Sequence, residues 1–314
     1  MTASETDRRI RGLRPAKAQF DPYTAHGSMV EGERRPGGQI ERVLTAFLVG
    51  AECPFTCSFC DLWQWTTDGP TIPGALTRQL RGVLETHSAE RLDRIKLYNA
   101  SNFFDVRSVP VEDVHGIAEL TPAFAGVTVE SHASTIGQKT LDFAARLNGR
   151  LEVAIGLETV HPAAAAALNK KLDLARFDAA ARLLVDNRID LRVFVLLGAP
   201  YVPVDESVEW TVRTVAHAVD RGASVVSIIP VRDGNGELER LSSQGDFSAP
   251  TLSQLEAALD ACLDSDRAVV SADLWDVDRL PGCAHCRKER IARLRRTNLS
   301  GVAERRITCE VCRE

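Results

Sequence analysis

Residues 41–60 read ERVLTAFLVGAECPFTCSFC. The first ten form an apolar run, as expected of a strand covered on both faces. The next ten place Cys53, Cys57 and Cys60 in a loop directly after it. A strand that ends in thiols sets two expectations. The sheet is parallel, and the C-terminal ends of its strands carry a site.

The pattern repeats outward from this stretch. Strand-like segments at 94–101, 126–132, 151–159, 190–200 and 224–232 alternate with helical spacing at 76–87, 111–120, 137–147, 163–169, 173–187, 208–222 and 252–264. Six β–α units predict an α/β chain folded as a partial (β/α)6 TIM-like barrel. A short stretch at 268–278 is a candidate further strand. Residues 1–38 are polar and read as an arm leading to the first strand. Residues 39–265 then form the barrel, and 266–314 a small extension with a CxxC…CxxC pattern.

Composition narrows the class. With 44% hydrophobic residues in 314, the chain can bury the core of one barrel domain. No apolar run approaches membrane-spanning length, and the N-terminus lacks the apolar core of a signal peptide. A cytoplasmic protein without a membrane partner is expected. Thiols stay reduced there, so clustered cysteines point to metal or catalysis rather than disulfides. The formal net charge of −5 gives no support to bulk nucleic-acid binding.

Polar residues gather where the strands end: Asn99, Ser101 and Asn102, then Glu130, Ser131 and His132, then Glu158 and Thr159, and finally Arg232. Apolar strands tipped with polar groups are what a pocket needs. His132 and Arg232 are candidates for a catalytic role in it. His161, before Pro162, fits a helix cap better than acid–base work.

Three cysteines in C-x3-C-x2-C spacing can hold three irons of a [4Fe–4S] cluster and leave the fourth iron open. Zinc more often takes four ligands in CxxC pairs. With Phe59 before the last cysteine, the loop resembles the radical S-adenosylmethionine (SAM) signature. KLYNASNFFD, VESH, GLETVHPAAAAALNK and VFVLLGAP resemble segments of its Elongator-catalytic-subunit-like branch. The nearest likeness is to the radical SAM subunit of archaeosine synthase, a tRNA-modifying enzyme. It spans about residues 41–264.

The resemblance implies a [4Fe–4S] cluster and SAM as cofactors. It implies reductive cleavage of SAM to a 5′-deoxyadenosyl radical that takes hydrogen from a small-molecule or biosynthetic substrate. It implies SAM contacts from Phe59, Asn99, Ser101, Glu130, Glu158, Lys170 and Leu197, with NASN standing where a glycine-rich motif is usual. The residues alone also allow Glu130 and Glu158 as strand-end ion pairs, Lys170 as a solvated helix residue and Asn99 as a turn residue. A reductase or flavodoxin-type electron donor is implied, and a partner protein as for the archaeosine subunit. A tRNA substrate is the alternative. A non-enzymatic iron–sulfur or zinc protein is a third reading.

CAHC (283–286) and CEVC (309–312) form C-x2-C-x22-C-x2-C. Cys283, Cys286, Cys309 and Cys312 therefore read as a metal site, for zinc or for an auxiliary iron–sulfur cluster. Cys262 lies at an apolar helical position and reads as core. Between the knuckles run eight basic residues against two acidic ones, a net +6 that leaves −11 for the rest. Such a segment either contacts phosphate, as in tRNA, or forms a solvated helix. No aromatic residue is interleaved, which disfavours base stacking.

Overall fold

The computed structural model describes residues 4–232, 234–263 and 267–312. One eight-stranded sheet runs through them in the order β1 to β8, each strand beside its neighbour in sequence. The strands are β1 (Gly27–Arg34), β2 (Ile40–Phe47), β3 (Arg94–Tyr98), β4 (Gly126–Glu130), β5 (Arg150–Glu158), β6 (Asp190–Leu197), β7 (Val225–Pro230) and β8 (Val269–Ala272). From β2 to β8 all pairs are parallel, while β1 adds on antiparallel at the edge.

The six expected strands and the candidate seventh are β2 to β8. The segment read as an arm contains more than expected. It holds α1 (Glu5–Leu13) and the edge strand β1. A polar strand such as GSMVEGER lacks the apolar run that marks a buried strand, so its sequence gives little signal.

Helices cover the outer face: α2 (Ala75–Thr86), α3 (Val111–Leu120), α4 (Gln138–Ala144), α5 (Pro162–Ala167), α6 (Leu174–Asp186), α7 (Ser207–Asp220), α8 (Glu237–Gln244), α9 (Leu252–Cys262) and α10 (Arg287–Ser300). The core lies between them and the sheet. Leu44, Ile95, Leu97, Val127, Val193 and Val195 are fully buried there against Leu76, Leu80, Phe143 and Phe177. Burying each such side chain contributes about 1.5–3 kcal/mol. Cys262 joins this core, as its position suggested.

The inner face of the sheet is different. Alternate residues of the same strands place charges inside. Lys96 of β3 pairs with Glu31 at 2.8 Å and Glu33 at 2.9 Å, both on β1. Arg192 of β6 reaches Glu152 of β5 at 3.1 Å and also Glu33. Arg35 meets Glu152 at 3.0 Å, and the Thr128 hydroxyl donates to the same carboxylate at 3.0 Å. A contact between β1 and β6, five places apart in the sheet, is made across its interior. The sheet is therefore curled, and a paired ionic layer closes one end of it.

The helix α10 packs against both β1 and β8. The Asn298 side chain donates to the Ala272 carbonyl at 2.8 Å and accepts from the Ala272 amide at 2.9 Å. It thus occupies backbone groups that the edge of β8 leaves unpaired. No helix among the described residues is long and apolar enough to cross a membrane.

Candidate cluster and cofactor site at the barrel mouth

Strand β2 ends at Phe47, and the cysteine loop leaves from its C-terminal end. Three asparagines pin that loop. The Asn102 amide donates to Cys53 Sγ at 3.4 Å while its oxygen accepts from the His132 amide at 2.8 Å. The Asn169 amide donates to the Thr56 carbonyl at 2.8 Å. The Asn235 amide donates to the carbonyls of Ser58 at 2.9 Å and Cys60 at 3.3 Å. Asn102 reads in the chain as a strand-end residue; nothing local signals that Asn169 and Asn235 return to this loop.

The N-terminal helix closes over the loop's outer side. Asp7 accepts from Thr56 at 2.5 Å and from Asn169 at 2.8 Å. These hydrogen bonds, the Thr56 hydroxyl first, hold its carboxyl well below the usual range. Arg14 pairs with Glu52 at 2.8 Å and lies over the Trp63 ring at 4.7 Å. Gly236, at φ +83°, lets α8 approach: a Cβ there would stand 2.1 Å from the Leu13 carbonyl oxygen.

Burial raises all three loop thiols. Cys53 is raised, Cys57 is pushed to about 12 and Cys60 well above its ordinary value. Lys170 works in the opposite direction on Cys53 and Cys57. A bound cation is what turns such thiols into thiolates.

Lys170 is not solvated. Its ammonium pairs with Glu158 at 2.5 Å and sits 5.9 Å from the Phe59 ring centre. Burial is the largest single effect and opposes its charge, but Glu158 together with the Cys57 and Cys53 thiols outweighs it and raises the pKa. Glu158 takes φ +69°, a left-handed conformation rare for a side-chain-bearing residue, where the β5 register shifts. Gly156 makes room for the pair: a Cβ there would lie 1.9 Å from Glu158 Oε1 and 2.6 Å from Lys170 Nζ.

The NAS turn after β3 is built around Glu130. Its carboxylate accepts from the amides of Asn99 and Ala100, each at 2.9 Å. Burial raises its pKa to about 7, against the pull of those amides. Ala100 sits at φ +54°, which explains why glycine is at home in such a turn. Asn99 Oδ1 and Ser101 Oγ are buried and have no partner. Two orphaned acceptors on one turn fit an ammonium donor from a ligand.

The remaining expected residues are placed as follows. His132 stacks on Phe55 with ring centres 4.2 Å apart. Its Nδ1 accepts from the Ser134 amide at 3.1 Å, and its Nε2 lies 3.1 Å from the Lys170 carbonyl. Both nitrogens are engaged, and burial, then Lys170, lower its pKa to about 4. Arg232 pairs with Asp273 at 3.0 Å and donates to the Trp275 carbonyl. Leu197 faces the main core; its neighbour Leu196 packs in the smaller cluster against which Phe59 lies. His161 caps α5 by accepting from Ala164 at 3.1 Å.

The other four cysteines converge. The sulfurs of Cys283, Cys286, Cys309 and Cys312 all lie within 4.8 Å of one another, and Cys286 and Cys312 are 3.8 Å apart. Four sulfurs about 2.3 Å from one tetrahedral ion stand about 3.8 Å apart. In a cubane each thiolate stands on its own iron, which spreads the sulfurs further. Half of the eight basic residues between the knuckles are ion-paired within the chain, and two of these, Arg290 and Arg293, are buried. Arg290 pairs with Glu256 at 2.6 Å, Arg293 and Arg306 with Asp260 at 2.8 and 2.9 Å, and Arg296 with Glu304 at 2.7 Å. Lys288, Arg295, Arg296, Arg305 and Arg306 are exposed.

No protein-family profile and no curated protein matches the chain. Solved structures do match. The archaeal Methanocaldococcus infernus Elp3 superposes with a TM-score of 0.53 at 13% identity, over 77% of this chain and 62% of that one. Methylornithine synthase (PylB) gives 0.54 at 14%, over 81% and 69%. Streptococcus suis SuiB gives 0.50 at 13%, over 76% and 49%. All three are radical SAM enzymes.

The chain has the radical SAM fold.

At such identities the radical SAM fold is a statement about architecture. The chain spans less than two thirds of the length of the Elp3 and SuiB structures. Within the radical SAM fold, the three-cysteine loop follows the first parallel strand and faces the turn with the orphaned acceptors.

Proposed function

We propose that the protein is a radical SAM enzyme. The observation that carries this reading is the loop of Cys53, Cys57 and Cys60 beside Asn99 and Ser101, whose buried acceptors lack partners. The three cysteines would hold a [4Fe–4S] cluster, and the NAS turn with Glu130 would receive the amine of SAM. Together these cofactors supply reductive sulfonium cleavage and a 5′-deoxyadenosyl radical that abstracts hydrogen. The chain's own part is positional. Glu130 fixes the turn, Lys170 lends positive charge beside the thiolates and a SAM carboxylate, and Phe59 borders the adenine. A flavodoxin-type reductase would supply the electron, and a partner protein joins as in the related branch.

The substrate we favour is a small molecule or biosynthetic intermediate. A tRNA substrate would need the charges of the basic stretch free, and four of its eight are held in ion pairs within the chain. The C-terminal cysteines we assign to one structural zinc, on the close approach of their sulfurs. Residues 39–265 then act as the catalytic barrel and 266–314 as its metal-bound extension.

The test is anaerobic purification with iron, sulfide and zinc assays, followed by SAM and dithionite. About four irons, about one zinc and release of 5′-deoxyadenosine are expected. Zinc without iron after reconstitution would sink the enzyme and leave a zinc protein.

A further inference from the structure

Two aromatic pairs bridge the inside of the barrel. Tyr98 of β3 and Phe194 of β6 meet edge-on with ring centres 6.3 Å apart. Phe47 of β2 and Trp275, just beyond β8, meet at 5.5 Å. These strands are three and six places apart in the sheet order, so the contacts cross its curled interior. Register agrees: Phe47 lies beside Tyr98, one strand alternation above Thr45 and Lys96.

These rings are not ordinary core. Helix-facing residues of the same strands, such as Leu97 and Val195, are fully buried. Phe47, Tyr98 and Phe194 are only half-buried, and Trp275 is 55% exposed. Half-open rings on the inside of a sheet border free space. Below them the charges of Lys96, Arg192 and Arg35 are matched by Glu31, Glu33 and Glu152. No unmatched charge in that layer faces the space. The buried Thr45 hydroxyl, beside Lys96, has no partner. It is a single neutral polar group waiting for a ligand atom.

We propose that the barrel interior binds an uncharged planar aromatic or heteroaromatic group, held against the row of rings formed by the Tyr98–Phe194 and Phe47–Trp275 pairs. The Thr45 hydroxyl supplies one hydrogen bond at the closed end. Rings favour edge and offset contacts with other rings, whereas a charged ligand would lose its hydration without a counter-ion. This assignment rests on the reading that substrate enters the barrel, and it names the substrate class.

The experiment is calorimetric titration of the anaerobically purified protein with three probes of one skeleton: 2-naphthol, decahydro-2-naphthol and 2-naphthoate. 2-Naphthol should bind about tenfold more tightly than the saturated alcohol and the anion. Phe194→Leu and, separately, the rim variant Trp275→Leu should each weaken it several-fold, with iron content and SAM binding unchanged. Equal binding of the three probes, a preference for the anion, or indifference to both substitutions would overturn the proposal. If Phe194→Leu does not fold, the exposed Trp275→Leu variant decides. Loss of iron and SAM binding in the wild type, with the naphthol preference intact, would remove the enzyme reading and leave the aromatic site standing.

Discussion

At the scale of single residues, the Lys170–Glu158 pair is the tightest constraint on the site. Both side chains are nearly buried, so removing one strands the other. Lys170→Met and Glu158→Gln should each destabilise by about 3–5 kcal/mol, and the double variant should recover most of that. Denaturant titration of the four proteins measures the coupling; additive losses would show the pair to be energetically idle. His132 carries a pH effect of opposite origin. Its ordinary pKa of 6.5 falls to about 4 in the fold, so the unfolded chain takes up the proton first. Stability is then full at neutral pH and declines as pH drops from 6.5 toward 4, by up to about 3 kcal/mol. Stability measured from pH 7.5 to 4.5 should show this decline, and a His132→Asn variant should show less of it.

At the scale of elements, the cysteine loop is held from outside as much as from below. The α1 helix was read as part of a polar arm, yet Asp7 bonds the loop through Thr56 and Asn169. Asp7→Ala should leave the barrel folded and shorten the time that iron survives in air, since Asp7 bonds the loop and the start of α1 but no strand. Iron content followed by absorbance near the cluster band reads this directly; an unchanged decay would show that α1 does not govern the loop. The extension makes a second prediction. Cys286 stands immediately before α10, and α10 packs against β8 and β1. Cys283→Ala/Cys286→Ala should lose the zinc and lower the melting temperature while iron stays at about four per chain. Halving of iron in that variant would make the four cysteines a second cluster instead.

At the scale of the whole molecule, the ionic layer decides how the barrel closes. Glu152 is fully buried and meets Arg35, Arg192 and Thr128. Glu152→Ala should cost about 3–5 kcal/mol, because it leaves the buried Arg35 and Arg192 to share Glu33 and removes the acceptor of Thr128. Thermal unfolding checks this, and a loss near zero would mean water reaches the layer.

The sequence by itself determined the parallel α/β barrel, the position of Cys53, Cys57 and Cys60 after the first parallel strand, and the four-cysteine extension. Periodicity and spacing are local, so a linear reading captures them. Only the tertiary structure decided which strand residues face inward, and so that Lys96, Glu152 and Arg192 form a floor. It alone brought Asn169, Asn235 and Asp7 onto the cysteine loop, and turned Arg290 and Arg293 of the basic stretch inward onto Glu256 and Asp260. These depend on contacts between residues far apart in sequence. An asparagine that pins a distant carbonyl looks, in the chain, like any other loop asparagine. The parity of a strand is set by a single residue of register, which composition does not reveal.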